Sequence, residues 1–454
     1  MQEFSQEFTD KMKKLLGEET SKFFASLDNP IQKAITINPT RLNGNNLEDL
    51  IDFSISPIPE IENGYFVDDN IKIGKHILHH LGIVYSQEPS AMYPVEMLDI
   101  RKGDIVLDLC ASPGGKSIQI LEKLNETGLL VSNEIVYNRA KVLYENINRM
   151  GFKNTIITCN SPSDYETTNL KFDKILVDAP CGGEGMFRRK DFDHQAYNNA
   201  SIETNARRQL NILNSIKNLL KDGGRLVYST CTYDIRENEE VVVEFMKSNP
   251  EYKLISYPRL NSVTSEGIKI DHFNTQYCRR RYPHKFPGEG QFMAVFEKTS
   301  DHNKNNDENK NMFYANGFTD IYKKDIEILR KELKDIADIK NLNLVKRNDN
   351  IFILPDIRFD MEELNVLSVG TLLGTISKSL FKPAHTSFHN YAEIYYNSIN
   401  LDDKQLDNYI QGLEIDIDTN IKGVCVVKYK NIALGGGKIV NGRLKNYYPK
   451  ELRN

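Results

Sequence analysis

Apolar residues along this chain follow two rhythms, and the change between them falls near residue 71. Residues 4–27 place Phe8, Met12, Leu15, Leu16, Phe23 and Phe24 at roughly helical spacing, broken at Gly17. Residues 33–38 (KAITIN) alternate as a strand does, and Pro39 ends the run. The stretch around Pro57 and Pro59 reads as a connector, so residues 1–70 predict a small α+β unit. Beyond them, short apolar runs at 104–109, 129–133, 155–158, 173–178 and 225–229 predict strands. Helical patterns at 117–124, 137–150, 205–220 and 236–248 lie between and after them. Short strands joined by helices predict a doubly wound, mostly parallel sheet with right-handed crossovers. Ligands of such sheets sit at the carboxyl ends of the strands.

Residues 300–311 (SDHNKNNDENKN) carry nothing to bury and read as a linker. A second globular unit follows, with a helix over 320–336 and short strands over 350–354 and 424–429. The expected division is 1–70, 71–299, a linker at 300–312, and 313–454. In the last unit Leu434–Lys438 (LGGGK) is followed by neither Ser nor Thr and predicts a turn between strands.

Composition narrows the class. A chain of 454 residues has room for roughly two to four domains. A net charge of −5 means that any nucleic-acid reading must rest on local clusters. The six cysteines are scattered without a C-x-x-C pair, which argues against a disulfide framework and predicts no metal site. No signal-peptide core and no run of 18 apolar residues is visible, so a reduced, cytoplasmic protein away from membranes is expected.

Three loops at predicted strand ends carry the chemistry. The first, LDLCASPGGKS, ends like a phosphate loop at Gly115, Lys116 and Ser117, but Cys110 stands where its first glycine belongs. Pro113 also removes a backbone donor. An ATPase reading therefore fails, and the dinucleotide fingerprint is absent too. What survives is a strand, a tight loop and a helix, with Glu134 at the end of the next strand, where a carboxylate can hold ribose hydroxyls. That combination favours an adenosine compound.

The second loop, DAPCGGEGMFRR, places Asp178 and Cys181 after one strand; the third, STCTYDIRENE, places Cys231 after another. If those strands are neighbours, the two cysteines meet. Buried isolated cysteines are mostly small hydrophobes, but their shared placement beside an acid points to chemistry. Cytosine C5 is a poor nucleophile until a thiolate adds to C6. The addition also needs an acid near ring N3 and a later proton removal. Two thiols, a carboxyl group and an adenosine-type cofactor meet those needs.

With these motifs, with Asn133–Glu134 and Arg139, and with RRRYPHKFPGEGQF at 279–292, the chain resembles the Sun/Fmu family of RNA cytosine-C5 methyltransferases, and most closely its RsmF-type ribosomal RNA branch. The resemblance implies a Rossmann-like methyltransferase sheet, an RNA-binding N-terminal extension and a PUA-like C-terminal α+β domain. It implies S-adenosylmethionine as methyl donor, with Cys231 as nucleophile and Cys181 assisting proton removal and release. Asp178 and Lys116 complete that catalytic set. Cofactor contacts would come from Cys110, Ala111, Ser112, Pro113, Gly114, Gly115, Lys116, Glu134, Arg139 and Asp178, with Asn160 toward the adenine. RNA would meet Arg188, Arg189 and the run Arg279, Arg280, Arg281, which is interleaved with aromatic residues as stacking sites are. It would also meet Lys438 and Lys445, within a basic, tyrosine-bearing stretch over 421–454. The implied partner is RNA, small-subunit rRNA or a ribosomal subunit, acted on by a monomer. A tRNA-directed relative and a non-catalytic assembly protein are the alternatives, and the joint presence of Asp178, Cys181 and Cys231 speaks against the second.

Overall fold

A computed structural model describes residues 4–189, 199–299, 315–334, 342–356 and 360–453. The expected linker lies outside these residues. Two helices open the chain, Gln6–Leu16 and Thr20–Leu27. The Ser5 hydroxyl caps the first by accepting from Phe8 N, and Gly17 ends it at φ 54°. Strands β1 (Lys33–Ile37), β2 (Ile55–Pro57), β3 (Gly64–Val67) and β4 (Val84–Ser86) then form an antiparallel sheet in the order β2-β3-β1-β4. The proline-rich stretch expected as a connector thus supplies two strands. Pro57 is tolerated because β2 is an edge strand, where a missing N–H leaves no ladder bond unmade. The opposite edge comes from β4, beyond residue 70.

The central sheet contains β5 (Ile105–Asp108), β6 (Leu129–Asn133), β7 (Thr155–Thr158), β8 (Phe172–Asp178) and β9 (Leu220–Thr230). It continues through β10 (Tyr252–Leu254), β11 (Ser265–Glu266), β12 (Arg279–Arg281) and β13 (Gln291–Lys298). Pairings β5–β6, β6–β7, β5–β8 and β8–β9 are parallel, whereas β13 lies antiparallel to β9. The chain runs outward through β5, β6 and β7, then returns to the other side of β5 with β8. The topological switch point lies there, between β5 and β8.

Both faces of this sheet are covered, which explains the unbroken apolar runs. Leu107, Val131, Ile175 and Leu226 pack into one cluster; Val106, Leu130, Leu176 and Val227 pack into the other. Strand Val366–Val369, far along the chain, adds antiparallel to β7 and extends the sheet.

Two further five-stranded sheets lie in the C-terminal third. A helix spans Lys323–Leu329 inside the expected 320–336 range, of which 335 and 336 lie outside the described residues. The predicted turn at LGGGK is not one. Ile432–Val440 is a continuous strand, paired on one side with Gly423–Tyr429 and on the other with Arg443–Asn446. Its glycines make room for side chains laid on the strand. A Cβ at Gly436 would stand 2.3 Å from the Phe388 ring, and one at Gly435 would stand 2.7 Å from the Tyr409 hydroxyl. No helix among the described residues is long and apolar enough to cross a membrane.

Gly436→Val should therefore cost about 1–3 kcal/mol or more of stability through overpacking against Phe388. Gly74→Ala, where an added Cβ meets nothing within 4 Å, should leave the unfolding midpoint unchanged. Urea titrations of both variants test this, and equal midpoints would refute the packing account.

Candidate active site

The switch point carries a carboxylate with three partners. Asp178, the last residue of β8, takes the Lys116 ammonium at 2.7 Å on Oδ2. Its Oδ1 accepts from the Ser229 hydroxyl at 2.6 Å and from the Gln291 amide at 3.0 Å. Parallel register sets Asp178 opposite Ser229 on β9, so the first contact follows from strand pairing. Burial alone would lower the Lys116 ammonium, but the Asp178 charge holds it above its usual range.

The loop after β5 is pinned to its neighbours. Gly114 stands at φ 117°, where a side chain is strained and would also crowd Leu143. The Ser112 hydroxyl donates to Arg139 O, Arg139 Nη2 donates back to Ser112 O, and Asn146 holds Pro113 O. Ala111 N donates to Asn133 O. The Asn133 amide donates to Leu109 O and Asn160 O, and its oxygen accepts from Asn160 N and the Thr158 hydroxyl. One buried carboxamide therefore sets the loops after β5, β6 and β7 together. Glu134 is buried, accepts from Val136 N at 3.0 Å and pairs with Arg139 at 3.3 Å. Asn160 Oδ1 is buried without a hydrogen-bond partner among the described residues.

Beneath this loop lies Asp108, which the sequence reading passed over. It is fully buried and accepts from the Ser117 hydroxyl at 2.7 Å. Burial pushes its carboxyl up to about 7. Burial, with the charges of Asp108, Asp178 and Glu134, pushes the Cys110 thiol well above its usual range.

The two cysteines meet. Cys181 Sγ and Cys231 Sγ are 3.2 Å apart, and Cys231 N donates to Cys181 Sγ at 3.3 Å. The contact with Cys231 and burial push the Cys181 thiol well above its usual range. Behind Cys181, Glu237 accepts from Gly182 N at 3.0 Å and from the Gln209 amide at 2.9 Å, while Gln209 also donates to Pro180 O. Glu237 was legible only as part of the acidic run R-E-N-E. Its carboxylate fixes the loop that carries Cys181.

The N-terminal helices brace both cysteine loops. The Lys11 ammonium bonds Asp234 at 2.9 Å and pairs with Glu184, whose other oxygen accepts from Tyr233 N. Against the effect of burial, Arg236 and Lys11 hold Asp234 down to about 2. Phe8, Met12, Phe23 and Leu27 pack on Phe187 and Tyr233 of those loops.

The arginines proposed for RNA are largely spoken for. Arg279, Arg280 and Arg281 form β12 and are buried. Arg280 pairs with Glu239 and donates to Tyr233 O; Arg279 bonds Thr264; Arg281 bonds Val263 O and Pro287 O. Their guanidinium groups turn inward to carbonyls, the Thr264 hydroxyl and a carboxylate, an arrangement that does not match the expected contact with RNA. Arg188 donates to Gly288 O, and Arg189 makes a two-nitrogen pair with Glu289, though Arg189 stays partly exposed. Lys438 and Lys445 are exposed and face each other across their strands.

Fold and site together define a Rossmann-like methyltransferase. Family models agree: 16S rRNA methyltransferase RsmB/F matches residues 95–297, the N-terminal domain of 16S rRNA methyltransferase RsmF matches 4–89, and the RsmF PUA domain matches 396–454. Ribosomal RNA small subunit methyltransferase F of Shewanella woodyi is 30% identical over 95% of this chain and 92% of its own length. The protein of the same description from Vibrio parahaemolyticus is 28% identical over 95% and 93%. Among solved structures, a methyltransferase homolog protein from Pyrococcus horikoshii is 27% identical, with a TM-score of 0.56 over 65% of this chain and 95% of that one. NSun6 from Pyrococcus horikoshii, solved with SFG, shares the fold at 23% identity and a TM-score of 0.56 over 66% and 99%. The chain belongs to the RsmB/F family of 16S rRNA methyltransferases.

Burial pushes the Glu237 carboxyl up to about 7, against a few units lower in an unfolded chain. Between those pH values the folded protein binds one proton more than the unfolded one. Its stability therefore falls as pH rises through that window. Glu237→Gln keeps the shape and removes the titration. Relative to the variant, the wild type should lose on the order of 2–3 kcal/mol between pH 4.5 and pH 8. Urea unfolding at both pH values measures the difference, and a constant gap would contradict it.

Proposed function

We propose that the protein transfers a methyl group from S-adenosylmethionine to C5 of a cytosine in small-subunit ribosomal RNA, through a covalent bond between Cys231 and C6. The observation that carries this reading is the 3.2 Å approach of Cys181 and Cys231 beside the Lys116–Asp178 pair. Curated relatives that match along nearly their whole length support ribosomal RNA as the substrate.

The loop residues fit the cofactor on three counts. Asn160 Oδ1 lacks a partner and suits an adenine amine. Glu134 stands where ribose hydroxyls bind in such folds. Asp108, Asp178 and Glu134 make the surroundings acidic, which favours a sulfonium cation. When bound, S-adenosylmethionine supplies an electrophilic methyl group. Cys110 through Lys116, with Arg139, would complete its cradle.

The chain's own residues then divide the work. Cys231 attacks as thiolate, forming the S–C6 bond and making C5 nucleophilic. The family resemblance, in which the cysteine of the T-C pair is the nucleophile, gives this role to Cys231 and leaves Cys181 to assist proton removal. Lys116 and Asp178 meet the polar edge of the ring; the Lys116 ammonium offsets the negative charge that builds there after addition, and Asp178 holds that ammonium in place. Once C5 carries the methyl group, Cys181 in its thiolate form accepts the C5 proton, the electron pair of that C–H bond re-forms the C5–C6 double bond, the C6–S bond breaks, and Cys231 leaves as thiolate. A base reaching these thiols must be unstacked, so the target lies in an open or flexible RNA segment.

Two variants separate the roles. Cys231→Ala should abolish methyl transfer and every covalent RNA adduct. Cys181→Ala should still add but release slowly, so that a denaturation-resistant protein–RNA band accumulates. Electrophoresis of each variant with labelled small-subunit rRNA transcript decides, and a band with Cys231→Ala but not with Cys181→Ala would reverse the assignment.

A further inference from the structure

A cleft of about 350 Å³ opens where the N-terminal unit meets the two C-terminal sheets. Its wall includes Arg41, Lys334, His389, Asn390, Tyr396 and Lys428, none of which belongs to the site described above.

The charge in this wall is unbalanced. Arg41 donates from Nε to Leu81 O, from Nη1 to His389 O and from Nη2 to Ala433 O, so among the described residues its guanidinium hydrogen-bonds three carbonyls and no carboxylate, with Glu126 acting on it only through its charge. Burial pushes it down to about 10. Lys334 is exposed and donates to the backbone oxygen of Glu393, and Lys428 has no ion-pair partner among the described residues. Glu393 is the single acid of the lining against these three cations. Burial and the charge of Arg41 push the His389 imidazole well below its usual range, so it adds no charge.

Two further groups favour more than a bare anion. Tyr396 is 59% exposed at the mouth of the cleft, a flat ring offered to solvent. Asn390 is 5% exposed, donates to the Thr371 hydroxyl at 2.9 Å, and leaves its own Oδ1 without a partner among the described residues. A buried amide oxygen requires a hydroxyl or N–H donor. Cations for a phosphate, an aromatic face for a base and an acceptor for a ribose hydroxyl together match one ribonucleotide unit.

We propose that this cleft binds a nucleotide of single-stranded RNA, with the phosphate at Lys428 and Lys334 and the base on Tyr396. The inference rests on the RNA-methylation reading, since it assigns the cleft to a flanking segment of the same substrate. Its position suits that task. A Cβ at Gly151, which ends the Tyr137–Met150 helix of the central sheet, would lie 3.0 Å from Arg41 Cδ. An RNA strand held here would be fixed relative to the helix that pins the cofactor loop.

Anisotropy titrations of the full chain with fluorescein-labelled hexauridylate test the proposal, because that probe carries no cytosine. Tyr396→Ala combined with Lys428→Ala should weaken binding at least tenfold and flatten its salt dependence. Ultraviolet cross-linking of the wild type should map to the peptide containing Tyr396. Lys334→Glu serves as a second variant, with unfolding midpoints as the folding control. Unchanged affinity in both variants overturns the proposal. Loss of inorganic phosphate binding with hexauridylate binding intact also overturns it, leaving a small-anion site. Binding through Tyr396 by a protein that methylates no rRNA transcript would sink the enzyme reading and leave the cleft standing. Full methylation with no loss of binding in the variants would do the reverse.

Discussion

Asp178 is the group on which the site's arrangement turns. A carboxylate at the end of a buried strand is costly unless its charge is met and its lone pairs are filled. Lys116, Ser229 and Gln291 do both, and each comes from a different element: the helix after β5, strand β9 and strand β13. Meeting that requirement places the cofactor loop, the Cys231 strand and the antiparallel edge strand at fixed spacing. The Cys181–Cys231 contact follows, because Cys181 leaves β8 three residues past Asp178 and Cys231 leaves β9 two residues past Ser229. Parallel pairing and one satisfied carboxylate together bring two residues 50 positions apart to 3.2 Å.

That arrangement would still be loose at its open side, since the loops after β8 and β9 are rich in glycine and turns. The N-terminal helices close it. Lys11 ties Glu184 of one loop to Asp234 of the other, and an aromatic cluster seals the contact. Edge-to-face rings at 4.8 Å between Phe8 and Phe187 and at 5.2 Å between Phe23 and Tyr233 give this cap a defined seat. The first 30 residues thereby act on the chemistry through support.

The parallel core was legible because strands buried on both faces carry apolar runs, and β5 to β9 each hold one, such as Ile175–Val177 in β8 and Leu226–Tyr228 in β9. The cysteine pair was legible for the same reason: strand ends are easy to place when strands are. Contacts made across long sequence distance were not. Val366–Val369 joins the central sheet from another part of the chain, and nothing local in V-L-S-V announces an edge to pair with. LGGGK looked like a turn because glycine usually marks one, yet here its missing side chains make room for Phe388 and the Tyr409 hydroxyl. The run Arg279–Arg281 looked like a docking surface because charge is ordinarily solvated. Glu239, the partner that permits Arg280 to be buried, lies 41 positions away. Asp108 and Glu237 were hidden by their types, since acidic residues are ordinarily surface groups.

Removing those arginines from the surface changes how an acidic protein can hold RNA. With a net charge of −5 and its densest basic run buried, the chain must rely on a few placed cations. Lys438 and Lys445 lie directly opposite each other on adjacent antiparallel strands. Like charges in that position repel and destabilise the pairing. The cost is small in water but is paid in every unliganded molecule, and an anion between the strands would remove it. The same reasoning applies to Arg41, a guanidinium satisfied only by carbonyl dipoles. Both sites are poorer in counter-charge than the Lys116–Asp178 pair, where the protein supplies its own. That contrast separates a cation paired with a carboxylate inside the fold from cations that have no carboxylate partner among the described residues.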